Sequence, residues 1–314
     1  MRILITGSSG FVGSPLSDRL EQIGHEIIRV QRRKKEEDFY IENIDGLIEW
    51  EKFLEGVDLV IHCAAKAHQT DKFSDNGNYS EINTEGTKNL ALQAAKKGIN
   101  KFIFISTIKV YGEVNKNNIP YSLNSKEQPI DSYGKSKLNA EKALYKIAEE
   151  TNMQVIIIRC PLIYGPNVRA NFLTLIKIVD KSIPLPFKSI KNKRSIIYLG
   201  NLISAIEKSI DFRLKGYQVF IFADKDPVSI SGMIKLIAKS LNKKARLLYI
   251  PLFLIKLFFS IFAKDEQLKK LISDLTLDTK KSEEILNWQP PFDTSYGIDK
   301  TISQYLKNKK SIKK

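Results

Sequence analysis

Thr6-Gly7-Ser8-Ser9-Gly10-Phe11-Val12-Gly13 follows the apolar run Ile3-Leu4-Ile5 and precedes Leu16, Leu20 and Ile23 at helical spacing. A buried strand, a glycine turn and an amphipathic helix in that order make the opening unit of a dinucleotide-binding βαβ fold. Gly7 allows a tight turn, Gly10 lets the backbone approach a pyrophosphate, and Gly13 lets the helix lie close to the strand. The helix N-terminus attracts phosphate charge. The turn therefore offers Gly7, Ser9, Gly10, Phe11, Val12 and Gly13 as cofactor contacts.

Outward from this turn, short apolar runs alternate with amphipathic stretches of helical length. Glu26–Val30, Leu59–His62, Phe102–Ser106 and Val155–Arg159 read as strands; Ser80–Lys97 and Tyr133–Glu150 read as helices. Such alternation predicts an α/β fold, a doubly wound parallel sheet of the Rossmann kind covered by helices on both faces. Phe102-Ile103-Phe104-Ile105 and Val155-Ile156-Ile157-Ile158 are apolar without a break, as central strands buried on both sides are. After Pro161-Leu162-Ile163-Tyr164-Gly165-Pro166 the rhythm changes and prolines punctuate shorter elements. The chain thus divides into a dinucleotide-binding domain over 1–166 and a smaller substrate-binding α/β domain over 167–314, with Tyr217–Phe222 returning to the first sheet as a strand.

The totals fit this plan. A chain of 314 residues with 43% hydrophobic and 27% charged residues can bury a sizeable core. The formal net charge of +15 comes mostly from scattered lysines, and no zinc-finger or RNA-binding signature accompanies it, so no nucleic-acid partner is expected. Cys63 and Cys160 each close a strand instead of forming a spaced metal or disulfide pattern, so no metal is expected and a reducing cytoplasm fits. The first strand starts within the first residues, so no secretory leader is expected. Leu252–Phe262 is apolar almost all round apart from a stripe of Lys256, Ser260 and Lys264, and is too short to span a bilayer. Burial against the second domain is the favoured reading; weak contact with the inner membrane face, aided by the basic tail from Lys307, and packing against another subunit are the alternatives.

A proton-transfer group follows from Tyr133-Gly134-Lys135-Ser136-Lys137, where a phenol and an ammonium stand at i and i+4 on one helix face. A phenol with a pKa of about 10 is a poor base at neutral pH, and a neighbouring ammonium is expected to lower it. Ser106-Thr107 ends the preceding strand, where folds of this kind build their sites, and Thr107 can donate a hydrogen bond to a reacting oxygen. Thr107, Tyr133 and Lys137 are the catalytic candidates.

The glycine spacing G-x-x-G-x-x-G, with the Ser/Thr, Tyr and Lys in these places, resembles the extended short-chain dehydrogenase/reductase family. From Thr6 to about Phe292 the chain looks like its NAD-dependent epimerase/dehydratase branch, an enzyme class acting on nucleotide-sugars. The resemblance implies cofactor contacts at Asn43 and Ile44 near adenine, at Ala64 and Ala65 in the small-residue stretch His62-Cys63-Ala64-Ala65, and at Asn83, Ser106, Tyr133, Lys137 and Pro161. Members that prefer NAD end their second strand with a carboxylate that holds the ribose hydroxyls. Gln31 stands there instead, with Arg32 and Arg33 beside it, and these favour the 2′-phosphate of NADP. On the substrate side the resemblance implies Lys66, Asn171 at a phosphate, Leu185 and Phe187 around uracil, and Arg194 on the pyrophosphate. Leu162 replaces an Asn that some epimerases use near the phosphates.

Branch members that dehydrate their sugar follow the Ser/Thr with an acidic pair; Ile108 and Lys109 stand there, and neither serves as a carboxyl acid or base. The stretches Ser106–Glu113 and Pro161–Pro166, with Asn171-Phe172-Leu173, resemble UDP-sugar 4-keto reductases that form UDP-N-acetylquinovosamine, with UDP-glucose 4-epimerases as near neighbours. The expectation is reduction of a 4-keto group on a UDP-4-keto-6-deoxy-N-acetylhexosamine by NADPH, in bacterial polysaccharide precursor synthesis. The alternative is a 4-epimerase that keeps NAD tightly bound, and a remote one is a cofactor-binding regulator without chemistry. The family's habit implies a homodimer formed through Ser80–Lys97 and Tyr133–Glu150.

Overall fold

The computed structural model describes residues 1–31, 39–41, 44–66, 79–213, 215–261 and 265–311. The chain opens with β1 (Arg2–Thr6), α1 (Gly13–Gln22), β2 (Glu26–Gln31), β3 (Phe39–Tyr40) and β4 (Leu59–His62). One π-helical stretch, Ser80–Glu85, runs into α2 (Gly86–Lys96), followed by β5 (Lys101–Thr107), α3 (Ser132–Glu150) and β6 (Gln154–Cys160). Next come β7 (Leu162–Tyr164), α4 (Ala170–Asp180), β8 (Ile196–Tyr198), α5 (Leu199–Asp211) and β9 (Tyr217–Ile221). The remainder is helical: α6 (Ile230–Ser240), α7 (Leu252–Ile261), α8 (Asp265–Ile272), α9 (Lys280–Leu286) and α10 (Thr294–Ser311).

Seven strands form one sheet in the order β3-β2-β1-β4-β5-β6-β9, and every pairing is parallel. Alternate residues of the central strands feed two separate cores. Ile3, Ile5, Leu59, Ile61, Ile103, Ile105, Ile156 and Ile158 face α1 and α5, meeting Leu16, Leu20, Leu202 and Ile206. Leu4, Val60, Phe102, Phe104, Val155 and Ile157 face α2 and α3, meeting Leu90, Ala94, Ala140 and Leu144. A strand whose two faces are both covered must be apolar throughout, which is why these runs lack polar alternation.

As the run Tyr217–Phe222 anticipates, β9 pairs with β6 and returns the chain to the sheet, and α5 joins the same core. The second unit packs separately. Phe172 and Ile176 of α4, Ile234 and Ile237 of α6, and Ile298 and Ile302 of α10 gather round Tyr164 and Tyr198 of the two-stranded β7-β8 sheet. Asp224 joins the units, accepting from the Tyr164 hydroxyl at 2.7 Å, the Tyr198 amide at 2.8 Å and Asn201 Nδ2 at 2.7 Å.

The favoured reading of Leu252–Phe262 as a buried helix does not hold for the residues described. Only Ile255 among them is buried, while Leu252, Phe253, Leu254 and Leu257 are all exposed. Apolar composition marks a helix that would gain from burial; it does not supply the partner.

Candidate functional site

Parallel pairing brings the ends of β1, β4, β5 and β6 to one edge of the sheet, with Thr6 beside His62 and Thr107 beside Cys160 in register. The glycine turn lies at this edge. Gly7 has φ +68°, and a Cβ there would sit 2.9 Å from the backbone of Ala64. A Cβ on Gly10 would lie 2.9 Å from the Gly7 carbonyl oxygen, and one on Gly13 would run into the same oxygen. All three glycines are thus demanded by the turn's own packing. No side chain caps α1, whose N-cap is Val12. An uncapped helix start behind a glycine turn, exposing Ser9 and half-exposing Phe11, fits the pyrophosphate of a dinucleotide.

His62 stiffens this edge. Its Nδ1 lies 2.6 Å from Thr6 Oγ1 and its Nε2 3.0 Å from Thr87 Oγ1. Burial, with Lys137 nearby, pushes its pKa down to about 3, so the ring is a neutral bridge between two threonines. Ala64 and Ala65 follow half-buried. Ile44 is buried against Gly86, whose Cβ position would fall 2.8 Å from the Ile44 carbonyl oxygen. Asn83 accepts from the Lys66 amide at 2.8 Å and donates to the Lys66 carbonyl at 3.1 Å and to Ser136 Oγ at 3.0 Å. Its amide braces the loop after β4 against α3. Gln31 ends β2 and is buried, Pro161 is buried just after β6, and Arg32, Arg33 and Asn43 lie outside the described residues.

Thr107 closes β5, and its Oγ1 accepts from the Lys109 amide at 3.2 Å, capping the single 3-10 turn Ile108–Val110. Tyr133 and Lys137 stand in the first turns of α3, which Asp131 caps by accepting from the Gly134 amide at 2.7 Å. Lys137 is almost fully buried, with Nζ 3.7 Å from the centroid of Phe104. Burial lowers its pKa to about 7, while Glu141, Cys63 and Cys160 pull the other way. Burial also raises the Tyr133 phenol, and Cys160, Asp131 and Tyr79 reinforce the rise. The expected lowering of the phenol by the lysine is therefore not what the protein alone does. Loss of water works against the charged form of each group.

Several residues that sequence reasoning passed over complete the site. Glu141 bonds Ser106 Oγ, and Arg159 reaches its Oε2 with Nη2 at 2.5 Å; all three are nearly buried. Arg159 also donates to Glu127 at 3.0 Å and lies 4.7 Å from the ring of Tyr111. This clamp fixes α3 to the end of β5. Its signal was the i+4 step from Lys137 to Glu141, the same step that flagged Tyr133 and Lys137. Lys109 pairs with Asp131 at 2.5 Å and Glu113 at 3.5 Å, and lies 5.9 Å from the Tyr133 ring. Tyr79 meets that ring edge-on at 6.3 Å and itself lies beneath Lys66 at 5.9 Å. Two phenols and two ammonium groups so stand together beside the start of α3.

Arg194 is half-buried, donates Nη1 to the Lys270 carbonyl at 2.5 Å, and bridges by its backbone to Val228 and Leu275. Lys270 pairs with Glu113 at 2.6 Å, so α8 reaches the rim beside Tyr133. Leu185 bridges to Leu247, Phe187 packs half-buried on the second core, and Asn171 is exposed in the first turn of α4.

The sequence profile of the NAD dependent epimerase/dehydratase family matches residues 3–218. A UDP-glucose 4-epimerase of Vibrio cholerae is 38% identical over 312 residues, covering 97% of this chain and 95% of its own. An N-acetyl-alpha-D-glucosaminyl-diphospho-ditrans,octacis-undecaprenol 4-epimerase of Escherichia coli O157:H7 is 28% identical, with 96% and 94% covered. Among solved structures, a UDP-glucuronic acid 4-epimerase from Bacillus cereus in complex with NAD superimposes with a TM-score of 0.79 at 21% identity, covering 98% and 99% of the two chains. UDP-glucose 4-epimerase of Thermotoga maritima with UDP-glucose gives the same TM-score at 22% identity, covering 98% of this chain and 99% of that one. Sheet order, glycine turn and profile agree, and the chain belongs to the NAD dependent epimerase/dehydratase family of extended short-chain dehydrogenase/reductase enzymes.

Proposed function

We propose that this enzyme epimerises C4 of the sugar of a UDP-hexose, with NAD held through the cycle and Thr107, Tyr133 and Lys137 carrying the proton. The relative named as a UDP-glucose 4-epimerase carries the reading, because at 38% identity it spans almost all of both chains. NAD, when bound, supplies the hydride acceptor and a positively charged ring. The glycine turn, with Gly7, Ser9, Gly10, Phe11, Val12 and Gly13, would hold its pyrophosphate, Ile44 and Asn43 its adenine, and Ala64, Ala65 and Pro161 its inner wall.

Thr107 donates to the C4 oxygen and orients it. Tyr133 takes the proton of that hydroxyl as the sugar is oxidised and returns it on reduction. Lys137 must be an ammonium for the phenolate to persist, and Glu141 favours that charge from one turn further along α3. Lys66, Asn171, Leu185, Phe187 and Arg194 would grip the UDP part. Ile108 and Lys109 provide no carboxyl group, and Lys109 is committed to Asp131 and Glu113, so the acid–base pair that elimination needs is not supplied there. The helices α2 and α3 would join two subunits, as the family habit implies.

A second reading keeps the same three residues but makes the hydride transfer a net reduction of a UDP-4-keto-6-deoxy-N-acetylhexosamine by NADPH. Gln31 at the end of β2, in place of a carboxylate, favours it. Mass analysis of nucleotide released from the purified protein separates the two. Retained NAD, with interconversion of UDP-glucose and UDP-galactose without added cofactor, supports epimerisation. Loss of NADPH absorbance on the 4-keto substrate, with no retained NAD, supports reduction and overturns the first reading.

A further inference from the structure

The surface that stands out beyond the site is the α7–α8 hairpin. Phe253 and Leu257 are 67% and 58% exposed, and Leu252 and Leu254 beside them are 39% and 43% exposed. Between the two helices runs an open groove of ≈ 540 Å³, floored by Phe253, Leu257, Leu268 and Ile272 and edged by Lys256 and Lys269. The residues leading into α7 add Leu248 and Tyr249, both exposed. A soluble surface seldom keeps so many large apolar side chains together without a partner.

Charge selects the occupant. Lys256 and Lys269 are both exposed, none of the described residues that line the groove is a carboxylate, and the chain carries a net +15. A two-fold contact with a second copy would set this patch against itself and bring like charges together. An anionic bilayer offers what the patch lacks: an apolar layer for Phe253 and Leu257 at the depth an interfacial helix reaches, and phosphate headgroups for the lysines, whose stems can lie along the apolar surface. Among the described residues no helix is long and apolar enough to cross a membrane, so such contact would be superficial.

The hairpin is tied to the substrate side at both ends. The Leu185 amide donates to the Arg246 carbonyl and the Leu248 amide to the Leu185 carbonyl, each at 2.9 Å, while Ser189 Oγ donates to the Ile250 carbonyl at 2.6 Å. At the far end, Arg194 holds the Lys270 carbonyl and Lys270 reaches Glu113. We propose that the α7–α8 hairpin is a docking surface for an anionic lipid bilayer, holding the mouth of the site at the membrane surface. This does not depend on which sugar reaction the enzyme performs.

Flotation of the full chain with vesicles of phosphatidylcholine, alone or mixed with phosphatidylglycerol, tests it. The protein should float with the mixed vesicles and not with phosphatidylcholine alone, and rising salt should release it. Phe253→Ser/Leu257→Ser and Lys256→Glu/Lys269→Glu should each weaken binding by about tenfold or more while leaving the melting temperature unchanged, since these side chains are exposed. Failure to float, binding indifferent to phosphatidylglycerol, or binding unaltered in both variants overturns the proposal. So does a self-association in ultracentrifugation without lipid that the Phe253→Ser/Leu257→Ser variant abolishes, because a second copy would then be the occupant.

Discussion

The two sets of candidate residues are built differently. On the sheet side, the candidate residues stand on β5 and α3 and are fixed by buried groups: Glu141 to Ser106 and Arg159, His62 between Thr6 and Thr87, Asn83 between Lys66 and Ser136. Among the residues proposed to hold the UDP part, Asn171 is exposed, Leu185 is held by a backbone bridge, and the guanidinium of Arg194 grips a carbonyl of α8. Chemistry needs atoms held to a fraction of an ångström, whereas recognition tolerates adjustment, and the buried network is placed where the first demand applies.

Five changes sharpen that contrast, beginning with the strongest. Tyr133→Phe should lower kcat by roughly a hundred- to ten-thousand-fold, the usual worth of a positioned acid–base group, with KM for the UDP-sugar little changed. Lys137→Met should lose activity comparably yet stabilise the fold at neutral pH. The lysine's pKa falls from 10.5 to about 7, so the unfolded chain binds more protons between those values and wild-type stability rises with pH across that window. The gain from Lys137→Met, read as melting temperature, should therefore shrink from pH 7 towards pH 10; a gain independent of pH would contradict the buried-ammonium account.

Glu141→Gln leaves Arg159 with less compensation in the interior and should cost about 3–5 kcal/mol by denaturant titration. A cost no larger than that of a surface change would mean the clamp is not under tension from both charges. His62 predicts acid sensitivity: its pKa falls from 6.5 to about 3, so the stability it lends is complete above 6.5 and is lost as pH drops through that range. His62→Gln should flatten this part of the stability profile. The mildest effect is expected at the proposed UDP contact, where Arg194→Ala should raise KM about tenfold with kcat unchanged, as loss of one charged contact to a phosphate would. A fall in kcat instead would place Arg194 with the rigid side.

Much of the sheet was legible in advance. The strands β1, β2, β4, β5 and β6 begin and end within a residue or so of the apolar runs that announced them, because a parallel strand covered on both faces leaves no polar alternation to confuse its limits. The short strands β3, β7 and β8, two or three residues each, carry no periodicity and were not marked individually. The protonation state of the Tyr133–Lys137 pair was misread for a related reason. Spacing on a helix shows that two groups are neighbours; it does not show how much water each has lost, and burial outweighs their attraction.

Local order along the chain was enough to determine the glycine turn, the alternation of strand and helix and the i, i+4 pair on α3, since each depends on residues within a few positions of one another. Tertiary structure alone decided which groups lost their water, that Glu141 and Arg159 lock α3 to β5, and that the apolar helix α7 stands mainly in the open. Those outcomes depend on contacts between residues far apart in sequence, such as Arg194 with Lys270 or Ser189 with Ile250, and burial is a property of the assembled surface, which no single segment possesses.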